Sequence, residues 1–373
     1  MAVIIYLFIL IGNLASVSAW VYSAFLMFIF FNLIQGKKVS FFRRIYFVTF
    51  SLLFSISYIV HLLEAFNGMA LNEAAVLTNG IPFNQFLIPV LPFFLVFART
   101  VQFPSPISGG ILSVFGLVLV WIMATLVIGK GWCGWVCPFG GYEDFFSRVL
   151  KRPILSISRF GKKIRQFHLL FLAVVVVLSA VLLMPVYVYW LNPFTIITGR
   201  FTSGGLHGTV MFLLSLLLFI TLVVVLPLLT RKRFQCSAYC PLGALQTLTN
   251  SVSSFKIVID PDACNHCMKC VEACQFCAID DGGAEVPIIS KACAFCGECI
   301  DICLENAIRY EYGFVKSLSD IPKGKTVLGK ILLDVFAPSH MFVLAAFTFC
   351  VFFSSHFAVD ALDFLLNFIR SVV

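Results

Sequence analysis

Cys264, Cys267, Cys270 and Cys274 stand at C-x2-C-x2-C-x3-C, and Cys293, Cys296, Cys299 and Cys303 repeat the same intervals. Soft thiolates suit iron, and this close spacing lets one turn of backbone wrap three corners of an iron-sulfur cube. In such runs the fourth cysteine ligates the other cluster. The expected sets are therefore Cys264, Cys267, Cys270 and Cys303 for one 4Fe-4S cluster, and Cys293, Cys296, Cys299 and Cys274 for the second. Zinc would call for two cysteine pairs parted by a longer insert, so the spacing speaks against it. The residue after each fourth cysteine, usually proline, is Gln275 in one run and Leu304 in the other. Proline there shapes a turn and ligates nothing, so no ligand is lost. Cys277 is expected as a small buried residue filling the turn, with an alternative or regulatory ligand as its second reading.

A second constellation lies upstream. Cys133-Gly134-Trp135-Val136-Cys137-Pro138 and Cys236-Ser237-Ala238-Tyr239-Cys240-Pro241 form an internal repeat. Each starts from basic residues (Lys130; Arg231 to Arg233), passes through C-x3-C-P and a glycine (Gly140; Gly243), and enters a short amphipathic segment. Phe145, Phe146, Val149 and Leu150 mark the apolar stripe of the first and Leu242, Leu245, Leu248 and Val252 that of the second, so both are expected along the membrane surface. C-x3-C puts two thiols one helical turn apart on one face. Together Cys133, Cys137, Cys236 and Cys240 supply four ligands, and the expectation is a third iron-sulfur cluster. A redox-active thiol or disulfide relay, a structural role and a different metal are the competing readings.

The elements that must position these cysteines follow from composition. The 373 residues are 60% hydrophobic and only 12% charged, with 42 phenylalanines, a balance no soluble chain of this length tolerates. The fold class is an α-helical integral membrane protein with a small α+β two-cluster iron-sulfur domain. Spans are expected at about 12 to 34, 45 to 66, 111 to 129, 169 to 190, 209 to 229 and 339 to 359, six in all. The apolar run 84 to 98 holds Pro89 and Pro92 and is read as re-entrant or interfacial. Of the 26 Lys and Arg, all but Arg99, Arg200 and Arg370 fall in segments that this count puts on one side, which is then cytoplasmic. The N-terminus is outside in this topology. No charge precedes Lys37, so the basic start of a secretory signal is missing and the first span reads as an uncleaved anchor.

Three regions result: a membrane domain, 1 to 254, with five spans and both C-x3-C-P motifs; the iron-sulfur domain, 255 to 312; and a linker with the sixth span, 313 to 373. Phe255 to Ile259 and Ile308 to Tyr312 read as short paired strands bracketing the clusters. A domain so small buries little core, and the clusters staple it. The clustering of cysteines points to metal ligation in a reducing compartment and against disulfides. The net charge of +8 is spread beside apolar spans with no separate basic domain, so nucleic acid is not expected as a partner.

Ionisable residues in spans are costly and invite functional readings. His61 and Glu64, one turn apart, are the candidates for a quinone site. Haem pairs His61 with His356 and His168 with His340 are conceivable by depth alone. Trp135 and Tyr239 read as packing, His266 as an exposed loop residue. A dinucleotide-type glycine loop is absent, which disfavours direct hydride transfer from a nicotinamide.

The combination of C-x3-C-P pairs after transmembrane helices with a double C-x2-C-x2-C-x3-C segment resembles the NapH and MauN type of membrane-bound 4Fe-4S ferredoxin, and more distantly the membrane parts of NosR and CcoG proteins. The resemblance covers about residues 111 to 312. It implies a membrane electron carrier: in NapH a quinol dehydrogenase component, in NosR a component serving nitrous oxide respiration, in CcoG an assembly factor. It also implies other redox subunits as partners, a flavoprotein or cytochrome among them, in a prokaryotic inner membrane. The Ser/Thr-Gly-Ala-Ser/Thr flavin-attachment run of the NosR type is absent, so any covalent flavin belongs to a partner. The leading function is thus an electron-transfer subunit joining cytoplasmic-side clusters to the quinone pool or to a membrane or periplasmic redox partner. An assembly or regulatory redox protein for a metalloenzyme and a subunit of a redox-driven ion pump are the alternatives.

Overall fold

The computed structural model describes residues 16–35, 38–69, 88–89, 106–107, 110–111, 114–182, 186–198, 206–281, 286–313 and 336–372. Among them, five helices are long and apolar enough to cross a membrane: Val17–Ile34, Val39–Ile59, Ser158–Leu182, Gly208–Thr230 and Pro338–Ser371. A helix satisfies its own backbone polar groups, so a nearly unbroken apolar sequence forms one in lipid whatever its periodicity.

The third expected span is shorter than the sequence suggests. Its helix, Val114–Ile128, has 15 residues, about 22 Å of rise against a hydrocarbon core of about 30 Å. A strand pair, Pro106–Ile107 with Gly110–Ile111, stands before it and takes the start of the apolar run. Six expected crossings thus become five long helices and one short one. Other bounds move too. The second helix begins at Val39, so Arg43 and Arg44 are helical. The helix expected at 169 runs Gly161–Leu182, and the last runs Pro338–Val372. Of the re-entrant segment only Ile88 and Pro89 are described, so that expectation lies outside the described residues.

The last helix returns to pack against the first two. Phe347 stacks on Phe30 at 5.1 Å and Phe357 meets Phe54 at 4.9 Å. Tyr22 donates to Ser354 Oγ at 2.8 Å. These aromatic contacts interlock surfaces that lipid would otherwise cover, which is how apolar helices find one another without a hydrophobic driving force between them.

The iron-sulfur domain is a two-fold device. Phe255–Ile259 pairs antiparallel with Ile308–Tyr312, with Ile257 opposite Tyr310. An inner pair joins Ile279–Asp280 to Ile288–Ile289. Two one-turn helices, Lys269–Ala273 and Glu298–Ile302, pack together, each entered through a left-handed residue, Met268 and Gly297.

Candidate metal centres

Two cavities lie in the iron-sulfur domain. One is lined by Cys264, Cys267, Cys270 and Cys303, roofed by Ile259, Met268 and Ile308. The other is lined by Cys274, Cys293, Cys296 and Cys299 with Ile257, Phe276 and Ile289. Each gathers three cysteines from one run and the fourth from the other. The crossing has a local cause. Each one-turn helix ends at its fourth cysteine in extended conformation, Cys274 at φ −64°, ψ 107° and Cys303 at −77°, 108°, which carries the chain away from its own loop. The contact between the two helices then brings each end to the neighbouring cavity. Burial pushes the Cys270 thiol up to about 11, so a free thiol there stays protonated near neutral pH. Iron would supply the charge that makes it a ligand. Among the described residues no three His, Cys, Asp or Glu side chains converge as a single metal ion requires.

The two C-x3-C-P motifs share one unusual geometry. Each lies on a π turn, Trp132–Val136 and Gln235–Tyr239. The turns close with Cys137 N–H donating to the Trp132 carbonyl at 2.9 Å and Cys240 N–H to Gln235 at 2.8 Å. Such turns are rare and concentrate at functional sites. Cys137 and Cys240 then cap new helices, Pro138–Phe146 and Pro241–Thr249, with proline in the first turn where a missing N–H costs nothing. The cap places a sulfur at the positive end of each helix, and Gly243 N–H points at Cys240 Sγ at 3.4 Å. The glycines are required by close approach. A Cβ at Gly243 would stand 2.6 Å from the Cys236 carbonyl, and one at Gly140 3.1 Å from the Cys133 carbonyl.

Folding brings the two motifs together. All four cysteines are buried. Cys236 and Cys240 each lie within electrostatic reach of Cys133 and Cys137. Arg233 joins the halves, its Nη2 donating to the Cys133 carbonyl at 2.8 Å and to Cys236 Sγ at 3.4 Å. Burial drives the Cys133, Cys236 and Cys240 thiols above their ordinary range. Glu143 anchors the second turn by accepting from Gln235 N–H at 2.6 Å and Cys236 N–H at 3.0 Å.

The charge balance tests whether an iron-sulfur cluster fits. Every Lys, Arg, Asp or Glu that is buried among the described residues sits here: Arg43, Lys130, Lys232 and Arg233 against Glu143 and Asp144. Arg43 pairs with Asp144 at 2.5 Å, and Glu143 and Asp144 both face Arg233. Lys130 and Lys232 have no carboxylate among their hydrogen-bond partners. Lys130 Nζ donates to Thr247 Oγ1 at 2.6 Å; burial pulls its pKa down, and only negative charge on the nearby Cys133, Cys236, Cys240 and Cys293 sulfurs would oppose that. Unpaired buried charge is expensive. A four-thiolate cube is anionic and restores the balance, so the residues fit the group.

The same cations dock the iron-sulfur domain onto the membrane helices. Arg43 donates to the Cys296 and Gly134 carbonyls at 3.2 and 2.6 Å. Lys232 reaches the Glu272 and Cys274 carbonyls at 2.7 and 2.8 Å, and Arg165 reaches Cys277 at 2.7 Å. Asn250 accepts from Lys130 N–H and donates to the Lys291 and Cys293 carbonyls. Trp135 Nε1 donates to the Phe295 carbonyl at 2.9 Å, so it is a docking group as well as packing. Phe276, 1% exposed, carries the equivalent cations of the two repeats, Arg233 at 4.6 Å and Lys130 at 5.9 Å from its centroid.

Other expected residues fall elsewhere. The backbone carries His61 and Glu64 on the Val39–Met69 helix, but their side chains lie outside the described residues. His168 is buried with Nε2 2.7 Å from the Cys240 carbonyl, a buttress of the second motif. His356 lies 3.4 Å from Asp360 on its own helix. Cys277 is buried with φ 49° and lines neither cysteine cavity, and Cys350 Sγ sits 3.1 Å from the Trp135 carbonyl. Tyr239 stacks on Phe171 at 4.6 Å, and His266 is an exposed left-handed loop residue. Of the expected apolar stripes, Phe145, Val149, Leu248 and Val252 are exposed and Leu242 is buried, while Glu143 and Asp144 on the first helix pack into the site. Sequence reasoning missed Glu143, Asp144, Asn250 and Phe276. The Glu143-Asp144 pair within an apolar helix was the signal available.

Comparison with known proteins agrees with this geometry. The family model described as a 4Fe-4S binding domain matches twice, at residues 110–155 and 212–259, once around each C-x3-C-P motif. A 4Fe-4S dicluster domain model matches residues 256–304. The chain is 27% identical to the ferredoxin-type protein NapH of Escherichia coli over 51% of its own length and 65% of that protein's, just under two thirds. It is 27% identical to NapH of Haemophilus influenzae over 54% of its length and 69% of that protein's. The methylamine utilization ferredoxin-type protein MauN of Paracoccus denitrificans is 27% identical over 43% of this chain and 54% of its own. No solved structure matches.

Proposed function

This chain belongs to the NapH/MauN type of membrane-bound 4Fe-4S ferredoxins, and from that premise we propose that it is an electron-transfer subunit carrying three clusters in a row. The iron-sulfur groups, when bound, supply one-electron oxidation and reduction. Cys264, Cys267, Cys270 and Cys303 hold the outer one and Cys274, Cys293, Cys296 and Cys299 the middle one. Cys133, Cys137, Cys236 and Cys240 hold the third at the membrane surface. The observation that carries this reading is the neighbourhood of Lys130, whose backbone N–H is accepted by the same Asn250 that donates to the Cys293 carbonyl, and which lies within electrostatic reach of Cys133, Cys236, Cys240 and Cys293. It makes the motif pair and the middle cavity one electrostatic unit. Phe276, Trp135 and Asn250 exclude water from the junction and fix its distance.

The three sites sit on the cytoplasmic side of a prokaryotic inner membrane, and the subunit exchanges electrons with the quinone pool or with a membrane or periplasmic redox subunit. Quinone chemistry needs a proton acceptor in an apolar pocket, and His61 with Glu64 remains the candidate. An iron and sulfide count on anaerobically purified protein tests the assignment. About twelve irons per chain are expected, falling to about eight in Cys133→Ser or Cys236→Ser with the other two EPR signals intact, since each cube holds four. A wild-type count near eight removes the third site.

A further inference from the structure

A cavity of about 340 Å3 opens between the turn at 230 to 232, the segment from Arg148 to Ser158 and the Lys269–Ala273 helix. None of the three cysteine sets lines it. Its walls carry four cations, Arg148, Arg231, Lys232 and Lys269, against Glu272 and Glu298. Glu298 is already ion-paired with Arg148 and stands 3.7 Å from Arg44, so the wall is left positive. Arg148 Nε stands 3.8 Å from Asp144 Oδ1, but two guanidinium nitrogens there, Arg148 Nη2 and Arg231 Nε, are buried without a hydrogen-bond acceptor. Buried donors without acceptors are rare in native proteins, and an anion in the cavity would satisfy them. One orphan acceptor, Gln275 Oε1, shares the wall, whereas Glu298 Oε2 faces Arg44. The complementary ligand therefore combines acidic oxygens with hydroxyl donors.

Position narrows the class further. Thr230 closes the Gly208–Thr230 span and Ser158 opens the Ser158–Leu182 span, and both line the cavity. Its mouth is thus at the level of the bilayer surface. Ile154 and Leu155, on the same segment, are 67% and 51% exposed, an apolar flank beside a cationic hole. Basic residues at such a level attract anionic headgroups.

We propose that this cavity binds a phosphate ester bearing free hydroxyls, its acidic oxygens on Arg231, Lys269 and the open edge of Arg148. The proposal needs none of the cluster assignments. It has a consequence for them, because Lys232 spans the wall to the Cys274 carbonyl. Negative charge bound here opposes reduction of the neighbouring cluster.

Two sources carry this chemistry, a phospholipid headgroup and a free phosphate ester. The test uses the full chain and the double variant Arg231→Gln/Lys269→Gln. Lys269 is exposed and Arg231 partly exposed, and the thermal melt followed by far-ultraviolet circular dichroism reports that the variant is folded. Native mass spectrometry after delipidation measures retention of phosphatidylglycerol against phosphatidylcholine, and phosphorus-31 line broadening measures saturable binding of inorganic phosphate. Retention of phosphatidylglycerol about thirtyfold above phosphatidylcholine, lost in the variant, is the result expected for a lipid, the scale set by two basic residues near a membrane surface. Saturable phosphate broadening lost in the variant, with no lipid preference, identifies a free ester. Equal behaviour of wild type and variant in both measurements, or no binding in either, overturns the proposal.

Discussion

The iron-sulfur domain and the C-x3-C-P pair collect cysteines in opposite ways. In the domain all eight ligand candidates lie within one short stretch, on loops and one-turn helices too small to fold around a core of their own. In the motif pair two thiols come from each of two distant helix ends and meet only after the membrane helices have packed. The first arrangement is expected to need metal in order to fold. The second has its fold from the helices, with buried charge already in place beside its thiols. The lesson is that buried cations can prepare a site as firmly as spacing can: Lys130 and Arg233 wait beside thiols that burial alone would keep neutral.

This contrast can be broken by experiment. The largest effect is expected on removing iron with a chelator under anaerobic conditions. Hydrogen exchange should then become fast throughout 255 to 312 while the helices around Cys133 and Cys236 stay protected, and equal loss in both regions would erase the distinction. Next comes Asp144→Asn, which leaves Arg43 buried without its partner. About 3–5 kcal/mol of stability is expected to be lost, read as thermal bleaching of the absorbance. A loss under 1 kcal/mol would mean that water reaches the pair. Gly134→Ala sharpens the junction itself, because its Cβ would run into the Ala294 carbonyl. Strain of about 1–3 kcal/mol is expected, with proteolysis freeing the domain from the membrane helices.

Smaller but more diagnostic is Lys130→Gln. Loss of this charge is expected to lower the midpoint potentials of the Cys133/Cys236 and Cys274/Cys293 clusters, leave that of the Cys264 cluster in place, and keep the iron count. Lys130→Arg should restore both potentials. A uniform shift of all three in potentiometric EPR would deny the lysine its bridging position. The least effect is expected for Cys277→Ser, which lines neither cavity. Iron content should be unchanged, and a missing cluster signal would make Cys277 a ligand after all.

The legibility of the chain follows the same divide. The strands Phe255–Ile259 and Ile308–Tyr312 were readable because alternating apolar residues flank the cysteine runs. The repeat of C-x3-C-P was readable as a repeat. Its π turns were not, since nothing in the composition of Trp132 to Val136 separates a π turn from an α turn. The apolar spans were legible as spans but not in their ends: lipid tolerates several registers of an apolar run, and packing against Phe347 or Phe357 selects one. The basic residues carry more than the sequence count showed. Arg43, Lys130, Lys232 and Arg233 were counted as orientation signals, and folding buries all four: Arg43 and Lys232 against backbone carbonyls of the iron-sulfur domain, Lys130 against Thr247 and Arg233 against the Cys133 carbonyl.

By itself, the sequence determined the chemistry: soft thiolates at spacings that suit iron, in a chain too apolar to live outside a membrane. Only the tertiary structure decided which sulfurs face one another across the two repeats, and which charges stand between them. The reason is physical. Ligand spacing within one turn is a property of local backbone geometry, whereas the burial of Lys130, Arg233, Glu143 and Asp144 depends on helices far apart in the chain closing around them, a cooperative outcome that no single stretch encodes.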